Sequence, residues 1–329
     1  VQRSSFIAKT GAMTFRIQIV LLAGLLPLTC LAQQEPHNTQ FMYFKQGYNP
    51  GFAGSNASPC ISAIYRKQWI GLDGAPENQV LTFNMPLENQ RIGIGANASR
   101  YSLGITTATT LDLVYAYRIR WGKGMLGLGL QGSVRSLEND FQRTRGIQPI
   151  ETDPSVPASQ ESRFLFNFGT GVYYSTEGFY LGASVPRLLA NNINFGSDDV
   201  VISREVQHFY LMGGFVLPLS AKISLQPQAL LKFVNHAPVD VDANLTFIFN
   251  DRVYVGGTYR AGGNNENTLG ESIDFLLGIQ LSRHLFLGTS YDYTLSDLRD
   301  FNDGTIEVVL QYCILGKTEE GETQNPRFF

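Results

Sequence analysis

Beyond Ala32 the chain has no apolar run approaching 18 residues, so no membrane-crossing helix is expected after that point. Cysteine is scarce, with three in 329 residues, and Cys30 falls in the leading segment. The four histidines (His37, His208, His236 and His284) show no metal-ligand spacing. No Gly-x-Ser-x-Gly elbow occurs, and no phosphate-cradling glycine loop with its lysine. Catalysis, metal and cofactors are therefore not expected. A basic excess is missing as well. The formal charge of −3 and pI near 5.9 argue against nucleic-acid binding. Charged residues make up only 16%, yet mean hydropathy is −0.06, far too polar for a helical membrane bundle.

What the chain does hold is glycine (33), phenylalanine (22) and tyrosine (15). The clearest pattern runs from Val239 to Arg260. Val239, Val241, Ala243, Leu245, Phe247 and Phe249 alternate with Asp240, Asp242, Asn244, Thr246 and Ile248. That period of two belongs to a strand with one apolar and one mostly polar face. Asn250–Arg252 turns the chain, and Val253, Val255, Gly257 and Tyr259 resume the alternation. Strands of soluble sheets usually run about 5–6 residues, whereas a tilted membrane-crossing strand needs about 9–11. The hairpin has the second length.

The same reading predicts an all-β fold, a transmembrane antiparallel β-barrel of about 14 strands. The strands fall near 60–69, 78–86, 91–101, 106–119, 125–136, 163–174, 179–185, 206–217, 223–234, 239–249, 253–260, 271–280, 285–293 and 304–313. Joins from even to odd strands are all short. Most of the others are longer, reaching 26 residues at Leu137–Ser162, although Ser102–Ile105 and Asn235–Pro238 are short too. Outer-membrane barrels keep short turns on the periplasmic side and long loops outside. Gly93-Ile94-Gly95 and Gly127-Leu128-Gly129 fall inside strands, where they fit lumen packing or close backbone approach rather than a nucleotide loop. Trp69, Tyr101, Trp121, Phe141, Tyr174, Phe179, Tyr254, Tyr291, Tyr293 and Tyr312 sit near strand ends as candidate interfacial girdles.

Residues 1–32 read as upstream residues plus a signal peptide, with Met13 as the start, Arg16 as the positive flank and Ile17–Leu31 as the apolar core. A lipoprotein reading, with Cys30 lipidated, fits less well because Pro27 and Thr29 precede it. Residues 33–59 form an N-terminal arm, 60–313 the barrel, and 314–329 a periplasmic tail. The expected location is the bacterial outer membrane, in contact with its lipid. Cys60 begins the first strand and Cys313 ends the last, and those strands are neighbours in a closed barrel. Two readings stand: a seam disulfide in an oxidising compartment, or two separate thiols.

Three stretches carry a family resemblance. They are Asn49-Pro50-Gly51-Phe52-Ala53-Gly54-Ser55 with Tyr65–Pro76, then Ser290–Ser296 with Asn302–Glu307, and Asn325-Pro326-Arg327-Phe328-Phe329. Together they resemble the PorP/SprF family from about Phe41 onward. The resemblance implies an outer-membrane barrel of the type IX secretion system, a non-enzymatic protein associated with export or surface retention of large adhesins, gliding adhesins among them. Its implied partners are the C-terminal domain of a secreted adhesin and components of that secretion system. The first and last outer loops are then the place to look for partner contact, through Trp69, Leu72, Asp73, Tyr293, Leu295, Asp297 and Phe301. Trp69 as a girdle anchor and Asp73-Gly74 as a tight turn is the equal alternative. In the tail, Arg327, Phe328 and Phe329 are candidates for docking a partner or plugging the barrel mouth. The runner-up is a transporter of small hydrophobic ligands resembling the fourteen-stranded fatty-acid channels, with the arm as a lumen plug. A plain diffusion porin and a soluble β-protein rank below it.

Overall fold

The computed structural model describes residues 35–87, 90–141, 161–193, 204–235, 237–262 and 270–314. Fourteen strands follow in order: β1 (Cys60–Lys67), β2 (Glu77–Leu87), β3 (Ile92–Leu103), β4 (Thr106–Trp121), β5 (Gly124–Asn139), β6 (Glu161–Ser175), β7 (Phe179–Val185), β8 (His208–Phe215, resuming after Val216 as Leu217–Ser220), β9 (Ile223–Val234), β10 (Asp240–Phe249), β11 (Val253–Ala261), β12 (Ser272–Gln280), β13 (Leu285–Thr294) and β14 (Thr305–Cys313). Each pairs antiparallel with its sequence neighbours, and β14 pairs back onto β1, so the sheet closes. Closure removes the free edges that an open sheet of this size would expose. Among the described residues no helix is long and apolar enough to cross a membrane.

The alternation seen in the sequence sets which way each side chain points. In β4, Leu111, Leu113, Tyr115, Tyr117, Ile119 and Trp121 stand exposed on the outer wall, while Asp112, Val114, Ala116 and Arg118 are buried inside. In β10, Asp240, Asp242, Asn244, Thr246 and Ile248 face inward. The outer wall is therefore an apolar belt, and the interior is polar and charged.

Two details differ from the sequence reading. The strand bounds 206–217 and 223–234 put Pro218 in the turn after β8, but it lies in the continuation Leu217–Ser220. Proline has no N–H to give to a ladder, and this short piece pairs only with β9, so nothing is lost there. Tyr254 is not a girdle residue. It sits on the inward parity of β11, where its ring packs edge-on against Phe286 at 5.4 Å between centroids, and Tyr101 likewise falls on the inward parity of β3 with Asn97.

Candidate functional site

The interior is filled by the protein's own N-terminal arm. Single turns at Phe41–Tyr43, Lys45–Tyr48 and Pro50–Phe52 compact the segment, and Asn38, Thr39, Gln40, Phe41, Lys45, Gln46, Tyr48, Asn49 and Ala53 are all buried. Glu35 contacts Arg135, close to the long-loop end of β5, whereas Gly54 lies against Gly93 at the short-turn end of β3. The arm thus threads the lumen along its length.

Near the long-loop end the arm is held by charge. The Glu307 carboxylate accepts the backbone N–H of Thr39 and of Gln40, each at 2.8 Å. Arg66 reaches across from β1 to Asp292 at 2.7 Å and Glu307 at 3.5 Å, and it also donates to the Thr39 hydroxyl. All three charged side chains are essentially sealed from solvent. An ion cluster at such depth is helped when further donors meet its lone pairs, and here the arm's backbone serves both Glu307 oxygens and the Thr39 hydroxyl one oxygen of Asp292. Glu35 binds Arg135 at 3.0 Å and Arg187 at 2.6 Å. Burial alone would raise the Glu35 carboxyl, but the two guanidiniums outweigh it and hold it well below the usual carboxylate range. Burial likewise works against the Arg187 charge, yet Glu35 and Asp112 turn its shift upward.

Lower in the barrel the arm is held by shape and amides. Gln46 donates to the Phe83 carbonyl at 3.0 Å and to Asn97 at 2.8 Å, and it accepts from Asn84 at 2.7 Å. Asn49 caps the turn by accepting from the Gly51 N–H at 2.8 Å and donates to the Val172 carbonyl at 2.9 Å. The in-strand glycines have their explanation here. A Cβ on Gly129 would lie 2.2 Å from the Gly51 nitrogen, and one on Gly93 would lie 2.0 Å from the Ala53 carbonyl oxygen. No side chain fits between wall and arm at these points. Tyr43 packs on Phe286 at 4.6 Å between centroids, Tyr48 on Tyr210 at 5.3 Å, and the Lys45 ammonium stands 4.2 Å from the Tyr180 ring centre.

The outer loops make a second feature. The Ile70 N–H donates to the Gly304 carbonyl and the Asp303 N–H to the Ile70 carbonyl, both at 2.8 Å, so the first and last loops are laced together. The Gly104 N–H donates to the Gly74 carbonyl at 2.8 Å, which draws in the second loop. On this platform Leu72, Asp73, Asp297 and Phe301 are exposed, with Phe301 at 69%. Trp69 and Leu295 are half-buried; Trp69, at φ 48°, starts the turn. Tyr293 points from β13 to the outer wall, away from the loop apex. Arg327, Phe328 and Phe329 lie outside the described residues. Cys60 and Cys313 face each other across the seam with their sulfurs joined at 2.06 Å. Among the described residues no cluster of His, Cys, Asp or Glu has the arrangement to hold a metal.

The quoted motifs converge in space. Asn49–Ser55 forms the lower arm, Arg66 belongs to the stretch that opens with Tyr65, and Asp292 and Glu307 belong to the stretch near the C-terminus. Parts of the first two stretches thus meet the arm: Arg66, Asp292 and Glu307 hold it at Thr39 and Gln40, and Asn49–Ser55 is the arm's own lower part, while Asn325–Phe329 lies outside the described residues. A family model described as type IX secretion system membrane protein PorP/SprF matches residues 30–312. The chain belongs to the PorP/SprF family. Its place as a type IX secretion system outer-membrane barrel follows from that membership and from the closed fold. Solved barrels are similar only at low identity. The Acinetobacter baumannii outer-membrane protein Omp33 is 6% identical with a TM-score of 0.47, over 79% of this chain and 100% of that one. The Ralstonia pickettii toluene transporter TbuX is 9% identical with a TM-score of 0.49, over 81% and 92%. A Pseudomonas aeruginosa FadL homologue is 12% identical with a TM-score of 0.44, over 82% and 93%. No curated protein gave a match.

The sequence reading passed over Arg66, Asp292 and Glu307 as candidates. Their signal was present: each falls on the inward parity of its strand, beside Ile64, Ser290 and Val309.

Proposed function

We propose that this PorP/SprF protein is a non-enzymatic docking barrel. It holds the C-terminal region of a secreted adhesin at the cell surface, or links it to the type IX machinery beneath. The observation that carries this reading is the arm in the lumen. A barrel whose interior is taken up by its own buried, hydrogen-bonded segment offers its outer face, not a channel, to a partner. The same occupancy counts against the hydrophobic-ligand transporter, since such a channel needs an apolar path with an exit. The contact surface in this reading is the laced platform, with Leu72 and Phe301 as apolar anchors and Asp73 and Asp297 as the polar rim. A signal peptide ending at Ala32 delivers the chain to the periplasm.

An affinity pull-down of the tagged protein from outer membranes in mild detergent, read by mass spectrometry, tests this. A large surface protein or type IX components in stoichiometric amount is the expected result. Leu72→Glu together with Phe301→Glu is expected to weaken that recovery by about 100-fold, as for two apolar anchors each contributing roughly 1–2 kcal/mol. A barrel recovered alone from wild-type membranes contradicts the proposal.

A further inference from the structure

The outer wall is not a uniform belt. On β1 to β4 and β14 one register row reads Leu310, Ala63, Leu81, Ala98 and Leu111, directly opposite one another across the strands. The two alanines leave room where their neighbours are leucines. The result is a groove of about 580 Å³, its walls almost wholly apolar, opening outward from the barrel. That is the scale of a lipid acyl chain. The next row toward the long-loop end reads Val308, Tyr65, Gln79, Arg100 and Thr109. Arg100 lines the groove, is exposed, and forms no ion pair with any described residue.

An unpaired guanidinium at the edge of a membrane belt is costly unless something anionic meets it. The groups around it do not do so. Glu77 is engaged by the Gln79 amide at 2.9 Å and by the Tyr65 hydroxyl, and Lys67 stands opposite it on β1. Lys67 also forms no ion pair with a described residue. Among the described residues Arg100 therefore stands without an ion pair at the end of an apolar groove, on the side where the long loops place the outer leaflet.

We propose that this groove binds one phosphate-bearing lipid of the outer leaflet, an acyl chain lying over Ala63 and Ala98 and the phosphate on Arg100. Thr109, directly opposite Arg100 on β4, supplies a neutral polar neighbour to the headgroup. The planar guanidinium gives the bidentate match to phosphate that an ammonium does not. Such a lipid would fix the height of β1–β4 in the membrane, directly below the platform. The inference depends on the barrel lying in the outer membrane and not on the docking reading, so the pull-down leaves it untouched.

The test is native mass spectrometry of the delipidated barrel in detergent, titrated with phosphatidylglycerol, monophosphoryl lipid A or uncharged diacylglycerol. The wild type is expected to take up one equivalent of either phosphate lipid ahead of diacylglycerol. Arg100→Gln is expected to bind the phosphate lipids about fivefold more weakly, with diacylglycerol unchanged. Ala98→Phe fills the groove and is expected to lose the bound equivalent for all three. Ala63→Phe, from the neighbouring strand, repeats that test if Ala98→Phe does not fold, as judged by heat-modifiable gel mobility. Equal uptake by the wild type and the variants overturns the proposal, and so does wild-type uptake indifferent to the headgroup.

Discussion

Glu307→Ala is expected to release the outer part of the arm and turn a closed barrel into a leaky one. One carboxylate accepts two backbone N–H groups of the arm and shares Arg66 with Asp292. Removing it leaves two buried donors without acceptors and a buried guanidinium with one partner fewer. Breaking such a buried pair costs about 3–5 kcal/mol. The strand ladder on either side of residue 307 is untouched, so the barrel itself should still form. Planar-bilayer conductance is expected to be near zero for the wild type and intermittent for Glu307→Ala. Removal of residues 35–57 is expected to give a steady open pore. Limited proteolysis in detergent should cut the arm in Glu307→Ala and spare it in the wild type. A variant as closed and as resistant as the wild type would mean that the amide and aromatic contacts lower in the lumen hold the arm by themselves.

Cys60→Ser is expected to have the other large effect, on stability rather than closure. The cross-link joins residues 253 apart in sequence, so it closes almost the whole barrel into one covalent ring. In the chain-entropy treatment a loop of that length corresponds to about 5 kcal/mol. The periplasm, where the seam forms, is oxidising. Heat-modifiable gel mobility should show the folded band lost at a lower temperature for Cys60→Ser, and the same loss on reducing the wild type. Cys60→Ser with Cys313→Ser should match the single variant, because the two residues act as one link. Alkylation of unreduced native protein should label neither residue; two labelled thiols would remove the cross-link from the account.

Much of this fold was legible in the residues, and the reason is physical. A strand that faces lipid on one side and a polar lumen on the other must alternate, so Leu111–Trp121 and Val239–Phe249 declare both their conformation and their orientation. Loop lengths then place the two ends. The glycines at 93, 95, 127 and 129 fit lumen packing or close backbone approach without saying what approaches, which is backbone at 93, 127 and 129 and the Gln46 side chain at 95. The clasp was less visible for a different reason. Inward parity says that Arg66, Asp292 and Glu307 enter the lumen, yet what they share is Thr39, whose hydroxyl meets Arg66 and Asp292 while its main-chain N–H, with that of Gln40, goes to Glu307, and main-chain N–H groups leave no mark in a sequence. The lacing of the first and last outer loops follows from closure, since β1 and β14 are neighbours. Which side chains crown the loops, Leu72 and Phe301 among them, depends on turn geometry such as the positive φ at Trp69.

Occupied lumen and laced outer loops make a coherent division of labour. The arm makes the barrel a solid support, and a solid support presents its loops in one fixed arrangement. Pre-ordering of that kind lowers the entropy cost of gripping a partner. In the proposed docking reading, variants in the arm should then weaken partner recovery without touching the outer loops.

Site-specific photo-crosslinking in living cells tests the central claim most directly. A photoreactive residue placed at Leu72 or at Phe301 is expected to form an adduct with the C-terminal region of a secreted surface protein. The same residue at Tyr115, on the lipid-facing wall, is expected to form none. Equal yields at all three positions, or no protein adduct at Leu72 and Phe301 in cells that display the secreted protein, would contradict the account.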